Sequence, residues 1–120
     1  MSVGKKDDSG KLPMGLIPPE CEDFLAGVLQ FGAIVYEPNN WQGVEEGRYY
    51  DAFRRHLNAR RGGEFSDADS GLPHSAHAAC NAIFLLWNDL QAMTKEDRKV
   101  VLAKIPEMAA AYKTKKEVQK

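Results

Sequence analysis

What the chain lacks narrows it first. It has two cysteines in 120 residues, Cys21 and Cys80, far apart and without CxxC spacing, which excludes a zinc ribbon or a thioredoxin-like motif. Both fall in expected helices, where a free thiol acts as a small apolar filler. Neither sign of charge is in excess. Sixteen Lys and Arg against 17 Asp and Glu leave a formal charge of -1, with no global pull toward nucleic acid or an anionic membrane. The Lys-rich end has no interleaved aromatics, so a nucleic-acid role is not expected. No hydrophobic run reaches membrane-spanning length, and the opening MSVGKKDDSGK lacks the apolar core of a signal peptide. A soluble protein of a reducing cytoplasm is the expectation. HExxH, P-loop and GxSxG motifs are absent, as is the adjacent His-Asp pair of HD phosphohydrolases. No stretch alternates like a strand, and there is no internal repeat.

What is present reads as helix. The length suits one domain with a core of its own, and 43% hydrophobic with 28% charged residues is ordinary for a globular chain. Residues 1–15 are polar and Gly-rich and read as a flexible arm, 16–112 as a helical domain, and 113–120 as a charged tail that should fray. Pro18 and Pro19 open a first helix, with Glu20, Glu22 and Asp23 complementing its dipole. Phe24, Leu25, Val28, Phe31 and Val35 recur at spacings of three and four, and Pro38-Asn39-Asn40 ends the pattern. A second helix is predicted from about Glu46 to Arg61, with Tyr49, Phe53 and Leu57 on its core side, broken by Gly62-Gly63. A third begins near Pro73. Thr94 with Asp97 forms a capping-box pattern for a fourth, which Pro106 should kink or restart. The fold class expected is all-α, a compact bundle of four main helices.

Against that background the polar residues stand out. On a helix, His74, His77 and Asn81 lie along one stripe, and their apolar neighbours turn the stripe toward other helices. Buried imidazole needs partners, and neutral imidazole is a common ligand for divalent metals. Two readings follow: hydrogen-bonded structural histidines, or ligands. Glu64, Asp67 and Asp69 bring carboxylates to the mouth of the same helix, and His56 ends an Arg54-Arg55-His56 run on helix two. Adjacent arginines point about 100° apart, so only one of Arg54 and Arg55 faces a given ligand. Asn40 and Trp41 offer an amide and an aromatic face for a base, or Trp41 merely caps the bundle.

The order GKLPMGLIPPE, FGAIVY, NNW, YYDAFRRH, GEFSDADSG and HSAHAACNAIFLL resembles the N-terminal dATP/dGTP diphosphohydrolase domain family. That phage-associated group includes MazZ-type enzymes and is related to the all-α MazG-like pyrophosphohydrolases. The resemblance, over about Lys11 to Leu86, implies a MazG-like bundle. It also implies cleavage of dGTP or dATP between the α and β phosphates, giving monophosphate and pyrophosphate. The setting would be phage nucleotide-pool remodelling or 2-aminoadenine genome synthesis. Relatives of this kind are often dimeric or tetrameric. The family's motifs fall on Lys11, Glu20, Tyr36, Asn40, Trp41, Arg55, His56, Glu64, Asp67, Asp69, Ser70, Gly71, His74, His77 and Asn81. Two departures are visible: Val35 stands where the family carries lysine, and the ExxE and ExxD pairs of MazG are missing.

From this follow the expected roles. A triphosphate carries about four negative charges, so a divalent metal (Mg²⁺, Mn²⁺ or Co²⁺) is expected. Its ligands would come from Glu64, Asp67, Asp69, His74 and His77, imidazole favouring Mn²⁺ or Co²⁺. His56, Glu64 and His77 are the catalytic candidates, with His56 or a carboxylate accepting the proton. Lys11 and Arg55 would hold phosphates, and Tyr36, Asn40, Trp41 and Asn81 the rest of the substrate. The rivals are a nucleotide-binding module without catalysis, and a structural bundle that docks through KTKKEVQK.

Overall fold

The computed structural model describes residues 4–7 and 11–119; positions 1–3, 8–10 and 120 of the expected arm and tail lie outside the described residues. The described chain is all-α. A 3-10 turn at Met14–Leu16 precedes helices α1 (Pro19–Val35), α2 (Glu46–Arg61), α3 (His74–Gln91), α4 (Lys95–Ala103) and α5 (Ile105–Val118), and a second, Asn40–Gly43, lies between α1 and α2. Strands are absent among the described residues; the nearest approach is an isolated antiparallel bridge between Ser66 and Pro73. The fourth helix is restarted as expected, and α4 hands over to α5 at Lys104, one residue before Ile105-Pro106. The charged segment read as a fraying tail continues α5 as far as Val118. No described helix is long and apolar enough to cross a membrane.

The chain divides into two compact units: Gly15–Gln91, and Met1–Met14 with Ala92–Lys120. In the first, α3 packs against both α1 and α2. Small residues make the approach possible. Ala76 and Cys80, one turn apart on α3, meet Val28 of α1, with Leu25, Leu72 and Phe84 packed around them. The Cys80 thiol, 1% exposed, contacts the Leu25 carbonyl at 3.6 Å, and burial pushes its pKa up to about 11, so it behaves as an inert filler. Cys21, expected to play the same part, is exposed.

Local signals fix the element ends. Proline at the start of α1 removes one of the N–H groups that would lack a partner there, and the Tyr36 N–H closes the other end on the Gly32 carbonyl. Arg60 and Arg61 complement the C-terminal dipole of α2, after which Gly63 takes φ +98, open to glycine at little cost. Several apolar residues predicted for the core are only partly covered: Phe24 is 48%, Val35 52% and Leu57 40% exposed. Periodicity alone put them inward, but a three-helix unit is too thin to cover all of every stripe.

Candidate active site

The loop between α2 and α3 is a folded object. The Asp67 N–H donates to the Leu72 carbonyl and the Gly71 N–H to the Asp67 carbonyl, each at 2.8 Å, while the His74 N–H reaches back to the Phe65 carbonyl at 2.9 Å. Gly71 sits at φ +76, a conformation that strains residues bearing a Cβ. The turn leaves Ser70 as a hub. Its N–H and hydroxyl both approach Asp67 Oδ2, at 2.9 and 3.0 Å, its Oγ lies 2.7 Å from His77 Nε2, and it accepts from the Leu72 N–H at 3.1 Å. Sequence reasoning placed Ser70 in the motif without seeing that it ties the aspartate to the histidine.

Three imidazoles converge behind this loop. His56 of α2 meets His74 of α3 Nδ1 to Nδ1 at 2.9 Å, so one ring donates and the other accepts. His56 also stacks on His77, centroids 4.6 Å apart and planes 10° from parallel. His74, His77 and Asn81 are 5%, 9% and 8% exposed, as the stripe predicted. Asn81 donates to the His77 carbonyl at 2.9 Å. His74 Nε2 lies 3.5 Å from Glu64 Oε1 but outside hydrogen-bond geometry, and so is a buried nitrogen without a hydrogen-bond partner. Leaving such a group unsatisfied costs about 1–3 kcal/mol.

The electrostatics favour the neutral form of two of the rings, His56 and His77. Burial lowers His56, and the neighbouring His77 and His74 lower it further against the opposing pull of Asp67. Burial lowers His77 as well, partly offset by Asp67. For Asp67 burial alone would raise the pKa, but the Ser70 N–H and hydroxyl, then His77 and His56, outweigh it and hold the carboxyl below its ordinary range. The result is a carboxyl held toward its charged form beside two imidazoles, His56 and His77, pushed toward their neutral form. Ligand atoms of His56, Asp67 and His74 lie within 4.8 Å of one another. Of the expected metal ligands, this brings Asp67 and His74 together and adds His56. Glu64, Asp69 and His77 stand outside that trio.

The cluster forms one end of a cavity of about 870 Å³ between α1, α2 and α3. Tyr36, Asn40, Trp41, Arg55, His56, Asp67, Asp69, His77 and Asn81 all line it, whereas Glu64, His74, Lys11 and Arg54 do not. Of the two adjacent arginines, Arg55 is the one that faces inward. Lys11 is exposed and belongs to the other unit. The opposite end is aromatic. Trp41 stacks on Phe84 at 4.6 Å and meets Trp87 edge-on at 5.1 Å, and Tyr49 leans on Phe84 at 5.1 Å. Trp41 is thus built into a wall, with one face already taken. Arg48, Tyr49 and Asp51 also line the cavity, though the sequence reading did not single out Arg48 or Asp51. Their signal was available: Arg48, Asp51 and Arg55 recur at three and four on α2.

With that geometry in hand, comparison with known proteins is informative. The family model for the dATP/dGTP diphosphohydrolase N-terminal region matches residues 1–98. A protein of Salmonella phage PMBT28 named dATP/dGTP diphosphohydrolase is 38% identical over 97 residues, which is 81% of this chain and 33% of that protein. The chain therefore spans about a third of the length of that relative. No solved structure matches.

Proposed function

The chain belongs to the dATP/dGTP diphosphohydrolase N-terminal family, and from that premise we propose that its cavity hydrolyses dGTP or dATP to monophosphate and pyrophosphate. One observation carries the reading: a single cavity is lined at one end by Arg55, His56, Asp67 and His77 and at the other by aromatic side chains. A nucleotide has that same polarity. The anionic tail belongs with the guanidinium and imidazoles, the flat base with Trp41, Tyr36 and Asn40. The fit is independent of the family name.

The donor set also fits a divalent ion. The pairing of depressed imidazoles with a carboxylate, and the orphaned His74 nitrogen, are what such a site requires. His56, Asp67 and His74 would hold the ion, whose chemistry is to polarise a phosphoryl oxygen and lower the pKa of a bound water. The remaining steps fall to the protein. Arg55 binds the phosphates, its planar fork suited to paired oxygens. Glu64, 3.5 Å from the His74 nitrogen that is open to the ion, adds a carboxylate beside it. Ser70 holds Asp67 and His77 in register. Asp69 lines the cavity with no side-chain partner among the described residues, and takes the proton of the attacking water. This moves the base from His56, which belongs with the ligands.

Nothing in this reading calls for nucleic acid or a membrane, and it suits the cytoplasm of a phage-infected cell. It includes assembly of two or four copies, since Ile34, Val35 and Tyr36 at the end of α1 are 75%, 52% and 72% exposed. The test is direct. Chelator-stripped protein is titrated with Mg²⁺, Mn²⁺ or Co²⁺ in the presence of dGTP and dATP, and products are identified. Pyrophosphate with dGMP or dAMP is expected. Nucleotide bound without product would instead make the chain a binding module.

A further inference from the structure

Helix α2 runs along the cavity from one end to the other. Tyr49 near its start leans on Phe84, and His56, seven residues later, meets His74 and His77. Seven residues of helix rise about 10 Å. With phosphates at the imidazole end beside Arg55, the base comes to rest at the aromatic end. Two charged side chains line the cavity on the turn that starts there, Arg48 and Asp51. They are of opposite sign and three residues apart on one helix, yet they form no ion pair with each other or with any described residue. Their hydrogen-bonding capacity is open to a ligand.

We propose that Arg48 and Asp51 read the purine and select guanine over adenine. The inference rests on the nucleotide orientation proposed above. Guanine offers the N7 and O6 acceptors that a guanidinium fork engages in pairs, and N1–H and N2–H donors that a carboxylate accepts. Adenine puts an amino group where the fork needs oxygen, and a bare ring nitrogen where the carboxylate needs a donor. It leaves both charges without ligand partners, and because Arg48 and Asp51 are exposed, water moderates the penalty to about tenfold.

The experiment uses the full chain with Mn²⁺ and the monophosphates dGMP and dAMP, which the proposed reaction cannot cleave, titrated by calorimetry. Binding of dGMP is expected to be at least ~10-fold tighter, about 1.4 kcal/mol. Arg48→Ala and Asp51→Asn should each shrink that preference below ~3-fold, with helicity by circular dichroism unchanged. Arg48→Lys should lose it too, because an ammonium cannot fork across N7 and O6. If Arg48→Ala does not fold, the lysine variant carries the test. Equal affinity in the wild type, full preference in Arg48→Lys, or equal weakening of both ligands by Arg48→Ala would overturn the proposal. Pyrophosphate release from wild-type protein is scored separately. Release with equal dGMP and dAMP affinity keeps the hydrolase and removes the guanine reader.

Discussion

The α1–α3 unit and the α4–α5 pair are both helical, yet they are built on opposite terms. Every buried residue of the described helices lies in α1, α2 or α3, and three of them are His74, His77 and Asn81. Neither α4 nor α5 has a buried residue; their apolar Val100, Val101, Leu102 and Ile105 are about half exposed. Local devices hold them instead: a reciprocal Thr94–Asp97 capping box on α4, and a proline in the first turn of α5 followed by Lys115 and Lys116 in its last. Core positions normally go to hydrocarbon, because a buried polar group is costly until it is hydrogen-bonded. A unit that places imidazoles there, and leaves one nitrogen unpartnered, gives up stability that hydrocarbon would supply, and the proposed site is what would offset it.

The largest break in this comparison comes from the trio. Asp67→Ala and His74→Ala should each lower pyrophosphate release on the order of 10³-fold or more. Both should also weaken Mn²⁺ binding measured by calorimetry, a readout independent of turnover. Melting should move much less for Asp67→Ala, whose side chain is a fifth exposed. If both variants stay folded and bind the ion as the wild type does, the trio is not a metal site and the two units differ only in packing.

Ser70→Ala comes next. It removes the hydroxyl contacts to Asp67 and His77 but touches no proposed ligand of the phosphate tail. An outer contact of this kind is typically worth 10–100-fold in activity or metal affinity, so a loss of about that size is expected, with KM little changed. Loss confined to KM would mean that the loop binds substrate rather than positioning the carboxylate.

The pH response sharpens the contrast further. In chelated protein, burial keeps His56 and His77 below the ordinary imidazole value of 6.5. The unfolded chain therefore binds more protons near and below that value, and stability rises with pH there. It is complete above 6.5 and falls as pH drops through the folded values; Asp67 adds a loss of the same sign below its ordinary 3.8. Corrected for intrinsic rates, amide exchange in α3 should quicken as pH falls below 6.5 toward about 4. In α4 the group held low is Asp97, by Thr94, and its contribution disappears only below 3.8. Exchange in α4 corrected for intrinsic rates should stay flat over the same interval. His77→Gln should reduce the α3 slope.

Much of this was legible in the sequence, and the remainder was not for a definite reason. Helix ends are local, so Pro19, Gly62 and Thr94 announced the starts or stops of α1, α2 and α4. Azimuth on one helix is also local, and it put His74, His77 and Asn81 inward. What joins two helices is not. That His56 would bond His74 across a gap of 2.9 Å, and so bring a third ligand atom within 4.8 Å of those of Asp67 and His74, depends on how closely α2 approaches α3. Ala76 and Cys80 bring α3 close to α1, but no spacing in the sequence gives the distance from α3 to α2. The same limit hid Arg48 and Asp51, ordinary surface charges until the cavity wall is drawn around them.

The smallest effect should come from the other unit. Thr94→Ala deletes the side-chain acceptor that takes the Asp97 N–H at 3.0 Å and unmakes the reciprocal box. Caps of this type are worth about 1 kcal/mol. A change of that size lowers the melting midpoint by about 4 °C in a chain of this length. No residue proposed for catalysis or base reading lies in α4 or α5, so kcat and KM for dGTP should stay within about twofold of wild type. If Thr94→Ala instead costs ten times in kcat, α4 is coupled to the chemistry. Burial would then have misled as a guide to where function lies, because a helix without one covered residue would be shaping the site.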